Sequence, residues 1–202
     1  MFFLYNIFGS IAIIFSPIIL LLRIFKKKED PKRFKEKLCI FSKSRGRGKL
    51  IWIHGSSVGE ITSIIPLISQ LEKDNRINKI LVTSSTTSAS LILSNFRFKK
   101  IIHQYFPLDI NLLSKKFLNY WKPNLAIFVE SEIWPNMICA LDSKKIPIIL
   151  INARITKKTY QRWIMFKEFS FKIFSKINLA LPQNLETLKY LKLLGVKKIK
   201  NL

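Results

Sequence analysis

The chain has 202 residues, 49% hydrophobic and 23% charged, enough for one well-buried domain plus an apolar segment, and it is neither disordered nor collagen-like in composition. Its 35 Lys and Arg against 12 Asp and Glu leave a net charge of +23, a field that attracts nucleic acid, an anionic membrane surface or a phosphorylated lipid. A competing reading assigns much of the lysine excess to AT-rich coding drift on a solvated surface.

The first element is an anchor. From Phe2 to Leu22 there is no charged side chain, and Asn6, Ser10 and Ser16 are the clearly polar ones. As a helix this stretch reaches about 30 Å, the thickness of a hydrocarbon core, and Gly9 and Pro17 are tolerated in lipid. Arg23, Lys26, Lys27 and Lys28 follow, which by the positive-inside rule places the remainder in the cytoplasm. Residues 1–25 are therefore expected to form a single membrane span, with a buried or surface-lying helix as the alternative. Residues 26–49 read as a flexible basic connector, with Arg45-Gly46-Arg47-Gly48 as loop.

From residue 50 to 202, apolar runs alternate with helical patterns. Strands are predicted at Leu50–His54, Ile80–Thr83, Ile101–Phe106, Leu125–Val129, Ile146–Ile151 and Ile177–Leu181. Helices are predicted at Val58–Lys73, Thr87–Asn95, Asn111–Trp121, Ile133–Lys144, Lys158–Ser175 and Leu185–Leu194, with Pro66 able to kink or split the first. Continuous apolar strands separated by helices predict an α/β fold with a Rossmann-like parallel sheet, which gathers ligands beyond the carboxyl ends of its strands.

Cys39 and Cys139, like His54 and His103, lie too far apart for a metal-ligand spacing, so no metal site is called for. Each histidine reads as satisfied at a strand end. The chemistry concentrates where strands finish. After His54 comes Gly55-Ser56-Ser57-Val58-Gly59-Glu60, a small-residue turn that delivers a carboxylate while letting a substrate approach Ser57 and Gly59. Ser57-x-x-Glu60 is equally a capping box. Asn124 to Val129 ends in Glu130-Ser131-Glu132 before Ile133-Trp134-Pro135-Asn136, and either acid could instead favour a helix dipole. In a parallel sheet Glu60 and Glu130 could face one cleft. Arg154, after Ile151-Asn152-Ala153, suits a lipid phosphate, or is solvated or paired with a glutamate.

These blocks, with Tyr105-Phe106-Pro107-Leu108-Asp109 between them, resemble the 3-deoxy-D-manno-octulosonic acid (Kdo) transferases in order and spacing, from the anchor to the last residue. The resemblance implies the N-terminal half of a GT-B glycosyltransferase that moves Kdo from CMP-Kdo to lipid IV(A) at the inner face of the bacterial inner membrane, with inversion and without metal or other cofactor. It implies Glu60 as general base and Glu130 as transition-state stabiliser. An inverting transfer needs such a base to take the proton of the attacking hydroxyl.

The departure is as informative. Members of that family continue into a donor-binding domain, preceded by a Gly-Asn-Leu-Lys-like segment, that these residues do not include. The expectation is that this polypeptide alone is inactive, as a shortened gene product, an isolated domain or one half of a split enzyme with a separately encoded C-terminal half. A non-catalytic, membrane-anchored binder of lipid A or anionic lipid is the alternative. Nucleic acid is not expected as a partner, because no recognition motif accompanies the charge.

Overall fold

The computed structural model describes residues 2–26 and 29–201, except the side chains at positions 2–4, 6–8, 10–14 and 17. Lys27 and Lys28 of the predicted basic run lie outside the described residues, as do the side chains of Asn6, Ser10 and Pro17.

Six strands form one parallel sheet: β1 Leu50–His54, β2 Lys79–Ser84, β3 Ile101–Tyr105, β4 Leu125–Val129, β5 Ile148–Ala153 and β6 Leu179–Pro182, in the order β3-β2-β1-β4-β5-β6. The helices are α1 Phe2–Phe25, α2 Val58–Lys73, α3 Thr87–Ser94, α4 Asn111–Trp121, α5 Pro135–Ser143, α6 Lys157–Ile164, α7 Lys167–Phe174 and α8 Leu185–Leu194. This is the doubly wound order expected of a Rossmann-like domain. The strand sequence reverses between β1 and β4, and the carboxyl ends of those two strands flank the crevice where such sheets take ligands.

The strands are apolar on both sides because both are covered. Ile51, Ile53, Ile80, Val82, Ile127 and Val129 pack against Ile61, Ile64 and Ile68 of α2 and Ala89 and Leu93 of α3. Trp52, Leu81, Phe128 and Leu150 take the other face, under Phe117 and Trp121 of α4, Met137 of α5, Phe174 of α7 and Leu191 of α8. Pro66 sits inside α2 without dividing it.

Three expectations are corrected. The predicted helix over Lys158–Ser175 is two helices, α6 and α7, broken at Met165 and Phe166. Trp163 stacks on Phe169 across the break, and the Ser170 hydroxyl donates to the Phe166 carbonyl at 3.0 Å, so tertiary packing and a back-bonded serine divide an otherwise helical pattern.

The apolar N-terminus does form a helix, but it lies along the domain instead of standing apart as a span. Tyr5 donates to Asp109 at 2.8 Å, Gly9 passes over Ile110, Ser16 and Leu20 are buried, and Arg23 bonds Glu29 at 2.6 Å. Among the described residues no helix is long and apolar enough to cross a membrane. The polar and small groups on one face of α1 find partners on the domain that hydrocarbon would not offer.

The connector is also docked. Phe34–Leu38 forms a short 3-10 helix whose Glu36 and Lys37 are buried. Glu36 accepts from Arg33 at 2.8 and 2.9 Å, from Ser42, and from the Tyr105 N–H at 3.0 Å. Lys37 bonds Glu29 at 2.6 Å and the Ser85 carbonyl at 3.1 Å. A run of charges that reads as solvated in sequence is held by partners distant along the chain.

Candidate active site at the β1 and β4 tips

Ser57 begins α2 in extended conformation, and its hydroxyl accepts the Glu60 N–H at 3.3 Å. The Glu60 carboxylate closes the box, taking the Ser57 hydroxyl on Oε1 at 2.9 Å and the Ser56 N–H on Oε2 at 2.8 Å. The capping box is therefore real, and it fixes the carboxylate without exhausting it: two donors occupy a group with about four lone-pair sites. Glu60 is half-buried. Burial pushes its pKa above the ordinary carboxylate value, the Ser56 N–H opposes that, and the charge of Glu132 adds to it. Glu60 is consequently more basic than a free glutamate.

Gly55 and Gly59 differ in what they do. A Cβ on Gly55 would stand 3.2 Å from Glu60 Cβ and 3.3 Å from Ile61 Cδ1, so a side chain there would require the first turn of α2 to give way by a few tenths of an ångström. A Cβ on Gly59 would meet only the Ser57 hydroxyl, at 4.0 Å. Packing does not require glycine at 59, which leaves open space over the turn beside Ser57, itself exposed.

At the tip of β4, Glu130 takes a left-handed conformation (φ 56°), as does Asn152 (φ 51°) near the end of β5. Val129 pairs with Ile151, so the two uncommon conformations sit side by side on adjacent strands, a kind of backbone that clusters at functional sites. The Glu130 N–H donates to the Ile151 carbonyl at 3.0 Å, and its own carbonyl accepts the Arg154 N–H at 3.3 Å. The backbone thus binds Glu130 and Arg154 to one another. Arg154 is exposed, and the half-buried Glu130 carboxylate has no hydrogen bond or ion pair among the described residues.

A neighbouring acid whose charge favours the protonated form of Glu60 is Glu132. Its Oε2 lies 3.0 Å from Nε2 of the fully buried His54 and accepts the Trp134 indole N–H at 2.7 Å. In sequence Glu132 reads only as a helix-dipole acid, and His54 as satisfied at a strand end with no partner named; both ring nitrogens do have partners. The sequence signal that was available is the strand-terminal histidine itself, which on a covered sheet needs a partner at each ring nitrogen. Neither Glu130 nor Glu132 stands in the first turn of α5, which begins at Pro135. That turn is capped instead by Asp109, whose carboxylate accepts the N–H groups of Asn136 at 3.0 Å and Met137 at 2.8 Å. No group of three or more potential metal ligands occurs among the described residues.

Residues 32–202 match the family profile described as 3-Deoxy-D-manno-octulosonic-acid transferase (kdotransferase). A 3-deoxy-D-manno-octulosonic acid transferase of Rickettsia bellii is 36% identical over 185 residues, covering 92% of this chain and 44% of that protein. A probable mitochondrial 3-deoxy-D-manno-octulosonic acid transferase of Arabidopsis thaliana is 36% identical, covering 80% and 37%. The Haemophilus influenzae transferase is 33% identical, covering 66% and 31%. The chain thus spans less than half the length of these relatives. Among solved structures, a UDP-N-acetylglucosamine 2-epimerase of Rickettsia bellii superposes with a TM-score of 0.52 at 17% identity, over 77% of this chain and 44% of that one. That likeness is one of fold.

Proposed function

Because the chain belongs to the Kdo transferase family, we propose that it supplies the acceptor side of a transfer of Kdo from CMP-Kdo to lipid IV(A) in lipopolysaccharide synthesis. The observation that carries this reading is Glu60: a half-buried carboxylate of raised basicity, fixed by its own turn beside open space, where the strand order reverses. In the proposed reaction the acceptor sugar hydroxyl lies over Ser57 and Gly59, Glu60 takes its proton as it attacks the anomeric carbon, and CMP departs with the bonding electrons. Glu130 stabilises the charge that develops at the sugar, and Arg154 pairs with a phosphate of the lipid.

The donor lobe is proposed to lie outside these 202 residues, in a continuation or a separate polypeptide, and the chain by itself to be inactive. The place of action is proposed to be the cytoplasmic face of the bacterial inner membrane. The outward side of α1 supports that, because Phe15, Ile18, Leu22 and Phe25 are exposed next to Arg23 and Lys26. Such a face suits the boundary between headgroups and acyl chains.

A second reading, a lipid-binding domain that performs no chemistry, is favoured by the engagement of both Glu60 oxygens within the cap. One experiment separates the two. The chain is fused to the remaining half of the Rickettsia bellii relative, and Kdo transfer from CMP-Kdo to lipid IV(A) is measured. Transfer by the chimera and a fall of about 10² to 10⁴ in Glu60→Gln is the expected result. Full transfer in Glu60→Gln would remove the base.

A further inference from the structure

His54, Thr83 and Trp52 place a line of buried polar groups through the sheet directly behind Glu132. The Trp52 indole N–H donates to Thr83 Oγ1 at 2.9 Å. An indole nitrogen only donates, so the threonine hydroxyl keeps its own proton free to give onward, and His54 Nδ1 lies 2.9 Å away. With Nδ1 accepting, the proton of a neutral imidazole resides on Nε2, aimed at Glu132 Oε2 3.0 Å away. The other neutral tautomer would give its Nδ1 proton to the Thr83 carbonyl, at 3.1 Å, and set an imidazole lone pair against a carboxylate oxygen. The first arrangement satisfies every atom in the line.

The line is also immobile. Trp52, His54 and Thr83 are fully buried, the Phe106 ring stacks on the imidazole at 3.9 Å, and Trp134 grips the same carboxylate oxygen from the far side. So much fixed structure behind one partly exposed acid is more than the fold of a surface turn requires.

We propose that Glu132 is a positioning residue for Glu60: the Trp52, Thr83 and His54 line, with Trp134, fixes its carboxylate as a standing negative charge beside the strand end from which the Glu60 turn departs. This deepens, and rests on, the reading of Glu60 as general base. The groups that act on Glu60 come from each side. Glu132, on the segment between β4 and α5, acts with burial to favour the protonated form, while Ser56 and Ser57 of its own turn oppose it, as would a positive charge on His54. Of these, Glu132 is the one whose place is set by the buried line.

The test is a titration of ¹³C-labelled glutamate carboxyls in the 202-residue chain, with the Glu60 signal assigned through Glu60→Gln. In Glu132→Gln the Glu60 midpoint is expected to move to lower pH. In His54→Asn, which leaves the Glu132 charge but frees it to turn away, it is expected to move in the same direction. An unmoved midpoint in a folded Glu132→Gln overturns the proposal. Should that variant fail to fold, ¹⁵N shifts of His54 in the unaltered chain decide: a proton on Nε2 supports the line, and a proton on Nδ1 alone overturns it. The readout is independent of transfer. A midpoint that moves while Glu60→Gln keeps full transfer would remove the base and leave the electrostatic pair. An unmoved midpoint while Glu60→Gln loses transfer would keep the base and remove the role of Glu132.

Discussion

Tyr5, near the start of α1, donates its hydroxyl to Asp109 Oδ2 at 2.8 Å although the two residues are 104 positions apart. The same carboxylate caps α5 through the Asn136 and Met137 N–H groups, so a single half-buried acid ties the N-terminal helix to the helix that follows the β4 tip. The Asn136 side chain returns the contact, donating to the Asp109 carbonyl at 2.8 Å. Burial raises the pKa of Asp109 and these donors oppose the rise.

Removing the acid and removing its phenol partner should therefore be distinguishable. Asp109→Ala is expected to cost about 2 to 3 kcal/mol, since it uncaps α5 and strands buried donors. Tyr5→Phe is expected to cost about 1 kcal/mol and to accelerate amide exchange in α1 alone. Urea denaturation and hydrogen exchange measure the two. Equal losses would mean that the cap of α5 contributes nothing beyond the tyrosine bond.

Gly59 separates stability from function. Its Cβ position is open, and alanine in a helix is favoured over glycine by about 0.5 to 1 kcal/mol, so Gly59→Ala should melt slightly higher. If the acceptor lies over this turn, the same methyl group should reduce transfer by the fused chimera. A stabilised variant with unaltered transfer would take Gly59 out of the acceptor surface.

His103 should govern part of the acid response. Burial first, and then the neighbouring Arg33 charge, lower its pKa to about 3. The folded state therefore holds it neutral where the unfolded chain would protonate it. A lowered folded value means that its contribution is complete above the unfolded value of about 6.5 and is lost as pH falls toward about 3. The expected loss is roughly 1 kcal/mol per pH unit in that window. His103→Gln should flatten the decline, as read from denaturation midpoints between pH 6.5 and 4, and an unchanged slope would place the acid sensitivity elsewhere.

Gln104 adjoins Thr83 in the sheet, and both polar atoms of its fully buried side chain lack a partner among the described residues. Two unpaired buried dipoles are costly. Gln104→Met, of similar length, is expected to stabilise by about 1 to 2 kcal/mol. Thermal melting tests this, and a lower midpoint would show that the amide is satisfied in solution, for instance by water.

The sheet was legible in sequence because strands covered on both faces are continuous apolar runs, and β1 and β4 fall on their predicted residues. The box at Ser57 and Glu60 was legible because it is local, complete within four residues. What could not be read depended on distance along the chain. Asp109 reads as the end of a loop motif, yet its partners are Tyr5 and the start of α5. His54 reads as solitary until folding brings Glu132 to it. The N-terminal run reads as a span because hydropathy records apolar length and does not register that Tyr5 and Ser16 lie against a domain. The division of α6 from α7 carries no glycine or proline to mark it, since packing between Trp163 and Phe169 makes it.

The docked segment around Glu36 lies against the edge of the sheet. β3 is the outermost strand on its side, with β2 as its single neighbour, and two of its outer hydrogen-bonding groups are taken up by that segment: the Tyr105 N–H by Glu36 and the His103 carbonyl by Arg33 at 2.9 Å. A protein trimmed to begin at Leu50 would bare this edge and invite strand-to-strand aggregation. The basic stretch before the first strand is thus a cover that keeps the sheet from growing.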